Sequence, residues 1–135
     1  MSKVVVDTNA LVSSLASKSV FHKLIQLILD EEVTMFVTDE MMYEYEEVLD
    51  QKYSISVAQN FLSALKELPT VAYVNIYFKW NLLSQGKDDN KFVDCYLAAN
   101  AEYLITNDTG YNVLKKIDFP KVNLIKLEDF LELYK

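Results

Sequence analysis

The chain has 135 residues, of which 51% are hydrophobic and 24% are charged, and its formal net charge is −7. This composition is typical of a globular protein, and we expect one domain over residues 1–135 rather than a disordered chain or a disulfide scaffold. The only glycines, Gly86 and Gly110, cannot supply the glycine-rich phosphate loop of a dinucleotide-binding fold or a P-loop NTPase. The sequence has no signal-peptide pattern and no apolar stretch long enough to span a bilayer. These observations predict a soluble, cytoplasmic domain with no membrane partner.

The charged residues leave two interpretations open. All thirteen basic residues are lysines, so the chain has no guanidinium group for bidentate binding of phosphate. The excess of acidic residues also opposes simple electrostatic binding of nucleic acid. The acidity serves either solubility or a group of carboxylates that holds a divalent cation. The positions of the acidic residues along the chain decide between these interpretations.

Short β-branched runs alternate with amphipathic segments, and this alternation predicts a parallel sheet covered by helices. In chain order, the predicted elements are a strand (3–6), a helix from Ala10 capped by Thr8 and Asn9, a helix (20–32), a strand (34–37), two helices (40–52 and 54–68), a strand (71–76), a helix (89–101), a strand (103–106), a short helix (112–116), a strand (122–126) and a last helix (127–134). We therefore expect an α/β fold, a three-layer α/β/α sandwich with a central parallel sheet of about five strands.

Two acidic residues follow predicted strands directly. Asp7 comes immediately after the first strand, and Asp108 comes two residues after Thr106, where the fourth strand ends. Ligands of open α/β sheets bind beyond the carboxyl ends of the strands, so these two carboxylates share a crevice if the strands are neighbours. An acidic residue in this position is also a common helix cap, and Asp7 alone does not distinguish the two roles.

Further acidic residues lie on two predicted helices. Asp89 begins a helix in phase with its apolar face, so its carboxylate is expected to point toward the sheet, whereas Asp88 is better explained by the helix dipole. Asp94 is expected on the solvated face of that helix. On the third helix, Glu44 and Glu46 flank the apolar stripe symmetrically, and periodicity does not choose between them.

A set of acidic residues of this kind indicates a metal site. Carboxylates that lie close together repel one another, and a bound divalent cation keeps them ionised. Because no histidine or cysteine accompanies them in the motifs, the donor atoms are oxygens, which suit Mg²⁺ or Mn²⁺ better than Zn²⁺. Water bound to such an ion can attack a phosphodiester.

Four short motifs resemble those of the PIN domain family of metal-dependent ribonucleases, in the family's order and spacing. They are residues 4–9 (VVVDTN), 44–49 (EYEEVL), 88–92 (DDNKF) and 101–108 (AEYLITND). The resemblance covers the whole chain and is greatest to the single-domain toxins of toxin–antitoxin pairs, the VapC type and its close relatives.

This resemblance implies a catalytic and metal-binding quartet of acidic residues, Asp7, Glu44, Asp89 and Asp108. In the family such a quartet holds Mg²⁺, or Mn²⁺ in its place, and activates a water that cleaves RNA. Asn9 and Thr106 match positions that make polar contacts around the metal site. The implied partners are an RNA substrate and a cognate antitoxin protein, and we also expect a homodimer.

The main alternative is a PIN-fold module that no longer cleaves and acts by binding protein or RNA. The complete quartet argues against it, because a binding module has no need of four acidic residues that repel one another. A haloacid-type phosphatase would need a second acidic residue after the first strand, where this chain has Asn9.

Two features near the acidic motifs are candidates for nucleic-acid contacts. Lys79, Lys87 and Lys91 lie close in sequence to the predicted metal ligands and could face phosphates. Residues 77–80 (YFKW) could stack RNA bases, but burial in the core or in a dimer contact is the preferred interpretation.

Overall fold

The computed structural model describes residues 1–135 and contains one sheet of five parallel strands. The strands are β1 (Ser2–Val6), β2 (Val33–Val37), β3 (Val71–Tyr73), β4 (Tyr103–Ile105) and β5 (Leu124–Ile125). Their order across the sheet is β3-β2-β1-β4-β5, so β1 is central and its neighbours lie on opposite sides of it in the sheet. Helices cover both faces, which confirms the predicted α/β/α sandwich.

Six α-helices connect and cover the strands. They are α1 (Thr8–Leu15), α2 (Lys23–Leu29), α3 (Asp39–Lys52), α4 (Ile55–Glu67), α5 (Asn90–Ala99) and α6 (Leu127–Glu132). Two 3₁₀ segments, Lys87–Asp89 and Thr109–Lys116, precede α5 and β5. None of the helices is both long enough and apolar enough to cross a bilayer.

One hydrophobic core of 32 buried residues joins the sheet to its helices. The β-branched run of β1 explains its central place, because Val4, Val5 and Val6 are fully buried between the two helical layers. On α3 the predicted apolar stripe faces this core, and Thr38 caps the helix by accepting a hydrogen bond from the Met41 amide at 3.1 Å.

The start of α1 differs from the prediction. Thr8 and Asn9 lie inside the helix, and Asp7 occupies the cap position without making a side-chain cap bond. The Asp7 and Thr8 side chains are therefore free to point elsewhere. Most of the other elements keep their predicted places but are shorter, as in α2 and the edge strand β5.

The prediction that Asp94 lies on the solvated face of α5 was wrong. Asp94 is buried rather than solvated, because its carboxylate accepts a hydrogen bond at 3.0 Å from the backbone amide of Trp80. Asn90 similarly binds both the amide and the carbonyl of Leu83, at 2.9 and 3.0 Å. The irregular segment therefore lies along α5 and covers the face that was expected to meet water.

The aromatic run at residues 77–80 is not part of the core. The Tyr77 and Phe78 side chains are 91% and 63% exposed, and Trp80 is half-buried. The Phe78 and Trp80 rings pack edge to face with centroids 4.9 Å apart, and Trp80 packs similarly against the exposed Phe119 at 6.3 Å. Because residues 77–80 lie outside α5, the core-facing helices leave no space for them inside.

Tyr45 joins α3 to the carboxyl end of β1. Its side chain is fully buried, and its hydroxyl donates a hydrogen bond to the Val6 carbonyl oxygen at 2.5 Å. Val6 directly precedes Asp7, so this bond fixes the backbone from which the Asp7 carboxylate projects.

Replacing Tyr45 by phenylalanine should lower the free energy of unfolding by about 1–2 kcal/mol, because the buried Val6 carbonyl loses a donor. Tyr43→Phe on the same helix is the matched control, since Tyr43 is 75% exposed and should change stability by less than about 0.5 kcal/mol. Urea denaturation of both variants measures the difference. Equal stability of Tyr45→Phe and the unmodified protein would contradict this role of the hydroxyl.

Candidate metal centre

The carboxyl ends of β1 and β4 form the base of the candidate site. The two strands pair in parallel with Val6 opposite Ile105, and the Asp7 amide donates to the Ile105 carbonyl at 3.0 Å. The chain runs from β1 to β2 on one side of the sheet and from β4 to β5 on the other. The strand order therefore switches between β1 and β4, which is where α/β folds bind ligands. Asp7 and Thr106 therefore emerge side by side.

Asp7 is a buried carboxylate that accepts a side-chain hydrogen bond. Asp7 is only 5% exposed, and its Oδ2 atom accepts a hydrogen bond from the Thr106 hydroxyl at 2.7 Å. Burial raises the Asp7 pKa to about 6, and repulsion by Asp89 and Asp108 adds to this effect, although the Thr106 hydroxyl opposes it. The site thus holds negative charge in a place where water cannot fully solvate it.

Asp89 and Asp108 approach Asp7 from two different loops. Asp89 is the last residue of the 3₁₀ turn that precedes α5. This turn follows Gly86, whose backbone is in the left-handed conformation at φ 67°. Burial raises the Asp89 pKa, and the nearby Asp108 raises it further. The Asp108 carboxylate accepts a hydrogen bond from the Gly110 amide at 2.8 Å, and the Asp108 amide donates to Thr106 Oγ1 at 3.1 Å.

Glu44, rather than Glu46, faces this group of carboxylates. Its carboxylate accepts a hydrogen bond from the Thr8 hydroxyl and forms an ion pair with Lys91, with Nζ 2.7 Å from Oε1. Glu46 is exposed on the opposite flank of the stripe. Burial lowers the pKa of Lys91, but the hydrogen bond and charge of Glu44 outweigh this and raise it overall. Lys91 therefore remains a cation beside the acidic site.

The donor chemistry of these four residues fits Mg²⁺ or Mn²⁺, since every available donor is a carboxylate oxygen. The buried and mutually repelling Asp7 is the observation that supports a cation here. However, no three acidic, histidine or cysteine side chains lie close enough together to hold a metal ion in the present arrangement. Glu44 and Asp108 are engaged with internal partners, the Lys91 ammonium group and the Gly110 amide.

The structure places the two predicted polar neighbours differently. Thr106 contacts Asp7 directly, whereas Asn9 is exposed and makes no side-chain hydrogen bond. Its place beside the acidic group is taken by Thr8. Sequence reasoning also missed Tyr111, a fully buried residue whose hydroxyl lies near Asp89. Its position three residues after Asp108, behind a glycine, was the only available signal.

A cleft of about 560 Å³ lies beside the carboxylates rather than over them. Lys79, Lys87 and Lys91 line it, together with acidic residues that include Asp88 and Asp94. Asp7, Asp89 and Asp108 do not line it. The cleft is therefore a neighbouring surface that brings the predicted phosphate-facing lysines together.

The strand order and the acidic residues after β1 and β4 agree with the sequence motifs that resemble the PIN domain family. The chain belongs to the PIN domain family, because the family model for the PIN domain matches residues 3–110. Among curated proteins, none matches the sequence significantly.

A solved structure supports the same fold. The chain is similar to a chain in the crystal structure of VapBC2 from Rickettsia felis bound to a DNA fragment from their promoter, with a TM-score of 0.61. The two chains share 16% sequence identity over 92% of this chain and 98% of the other. At this level of identity the likeness establishes the shared fold.

Replacing Asp7 by asparagine should stabilise the metal-free protein above pH 6. The folded pKa of about 6 exceeds the ordinary value of 3.8, so the folded state binds this proton more tightly than the unfolded chain. The stability associated with the bound proton is present below about pH 4 and is lost as the pH rises through about 6.

Thermal unfolding in EDTA at pH 4.5 and pH 7.5 measures this effect. Asp7→Asn should gain about 2 kcal/mol more stability at pH 7.5 than at pH 4.5, since each pKa unit corresponds to about 1.4 kcal/mol and about a third of the total effect is already present at pH 4.5. Asp118→Asn, on an exposed loop, should change stability little at either pH. An equal gain at both pH values would contradict the raised pKa of Asp7.

Proposed function

We propose that this PIN domain is a Mg²⁺- or Mn²⁺-dependent ribonuclease that hydrolyses RNA phosphodiester bonds. The observation that carries the proposal is the buried Asp7 carboxylate at the switch point of the sheet, with Asp89 and Asp108 close enough to raise its pKa. A protein gains nothing in stability from such an arrangement, because burying unpaired charge costs free energy. A function that requires the charge accounts for it.

Asp7, Glu44, Asp89 and Asp108 are proposed to hold the metal ion. When bound, a divalent ion polarises a phosphate oxygen and lowers the pKa of a coordinated water. Thr106 orients Asp7 by donating its hydroxyl to Oδ2.

The lysines are proposed to bind the RNA backbone. Lys79 and Lys87 are exposed in the cleft next to the acidic group, and their ammonium groups can contact phosphates. Lys91 also neutralises Glu44 and so reduces the repulsion between the acidic site and an approaching polyanion. These lysines offset locally the net charge of −7.

We further propose that the chain is the toxin of a toxin–antitoxin pair. Support comes from the fold shared with the VapBC2 structure and from the sequence motifs that resemble VapC-type toxins. Under this proposal the chain works in the cytoplasm as a homodimer, and a cognate antitoxin protein binds it.

A non-cleaving binding module is the second candidate function. It is favoured by one observation, the engagement of Glu44 with Lys91 and Thr8 in a site where no three acidic side chains are gathered. The nuclease assay below discriminates between the two candidates.

Glu44→Gln and Asp7→Asn should each reduce cleavage of a mixed single-stranded RNA panel by about 100-fold or more. Loss of a metal ligand removes several kcal/mol of transition-state stabilisation, and each 1.4 kcal/mol is about tenfold in rate. Glu46→Gln on the exposed flank of the same helix is the matched control and should cleave normally. EDTA should abolish cleavage by the unmodified protein.

Cleavage that survives Asp7→Asn would indicate a contaminating nuclease. The absence of cleavage on every RNA, together with measurable RNA binding, would favour the binding module instead.

Expression of the unmodified protein in a bacterial host should arrest growth, because a free ribonuclease toxin degrades cellular RNA. Asp7→Asn, produced at the same level, should permit growth. Colony counts after induction measure the difference, and equal growth of both strains would count against the toxin proposal.

A further inference from the structure

Tyr111 presents an unpaired hydroxyl to the candidate metal centre. Its side chain is fully buried in the hydrophobic core, and its hydroxyl lies close enough to Asp89 to lower the pKa of that carboxyl, yet it makes no hydrogen bond of acceptable geometry. Apart from the Thr70 hydroxyl, it is the only buried side-chain polar atom of the chain without a partner. Leaving such a group unpaired costs free energy, which a phenylalanine at this position would avoid.

The surroundings of the hydroxyl are acidic. Asp7, Asp89 and Asp108 all lie near enough to influence it electrostatically, and Asp89 is the carboxylate with which it can share a hydrogen bond. The Thr106 hydroxyl also faces this group, but it already donates to Asp7. The acceptors within reach of the Tyr111 hydroxyl are therefore carboxylate oxygens.

The chain reaches this position through a tight turn after Asp108. The Asp108 carboxylate accepts from the Gly110 amide at 2.8 Å, and the Asp108 carbonyl accepts from the Tyr111 amide at 3.4 Å. A Cβ atom at Gly110 would lie 3.2 Å from Asp108 Oδ1, so a larger residue would press on this carboxylate. The turn that presents Asp108 thus also directs Tyr111 beneath the acidic group.

We propose that Tyr111 is a positioning residue whose hydroxyl donates to Asp89 when a divalent ion draws the carboxylates together. The inference rests on the proposed metal-dependent function. Ligating carboxylates are commonly oriented by a hydrogen bond from outside the ligand set, and loss of that bond weakens metal binding about 10- to 100-fold. On this proposal, the hydroxyl is unpaired in the metal-free protein and gains its hydrogen-bond partner, the Asp89 carboxylate, when the ion binds.

Tyr111→Phe tests this inference through Mn²⁺ affinity, measured by isothermal titration calorimetry, and through the melting temperature in EDTA. The dissociation constant for Mn²⁺ should rise at least about tenfold. The melting temperature without metal should stay the same or increase, because the variant loses an unpaired buried group. These opposite directions separate a metal-positioning role from general support of the fold.

Tyr96→Phe is the matched control. Tyr96 is also buried, but its hydroxyl accepts a hydrogen bond from the Asn123 amide at 3.0 Å. This variant should melt at a lower temperature and should bind Mn²⁺ with unchanged affinity.

Three outcomes would overturn the role of Tyr111. A Mn²⁺ affinity of Tyr111→Phe within twofold of that of the unmodified protein would contradict the positioning role. A weaker Mn²⁺ affinity together with a lower melting temperature in EDTA would also contradict it, because both effects would then follow from a less stable fold. If the unmodified protein binds no Mn²⁺, the proposed function fails together with this inference, whereas equal affinities overturn the inference alone.

Discussion

The structure depends on the burial of the Asp7 charge between the ends of two central strands. Burial and the nearby Asp89 and Asp108 carboxylates favour the protonated form, while hydrogen bonds from the Thr106 hydroxyl and the Thr8 backbone favour the ionised one. The buried Tyr45 hydroxyl donates a hydrogen bond to the Val6 carbonyl and so fixes the backbone next to Asp7. Local features that oppose stability commonly mark the functional part of a protein.

The four acidic residues form two pairs, which differ in the surroundings of their carboxylates. Glu44 and Asp108 are engaged, the first by Lys91 and Thr8 and the second by the Gly110 amide. Asp7, which is buried, and Asp89, which is partly buried, are the pair with raised pKa values. Asp108 raises the pKa of both, so its hydrogen bond with the Gly110 amide does not remove its repulsion of the other two carboxylates.

The sequence predicted the sheet and the strand-end acids well, because both depend on local patterns. β-branched runs give buried parallel strands, and Asp7 and Asp108 follow two of them. The choice between Glu44 and Glu46 could not be predicted from periodicity, since it depends on Thr8 and Lys91, which lie on other elements. Asp94 was misplaced for a related reason, because helical periodicity carries no information about a distant segment that covers the helix.

That covering segment has a mechanical consequence. It has no regular structure between β3 and Gly86, and two side chains one turn apart on α5, Asn90 and Asp94, bind its backbone. The same helix follows directly after Asp89. These hydrogen bonds tie the segment that carries Lys79 to the helix that begins directly after Asp89, so the fold sets the spacing between the lysine-lined cleft and the Asp89 carboxylate.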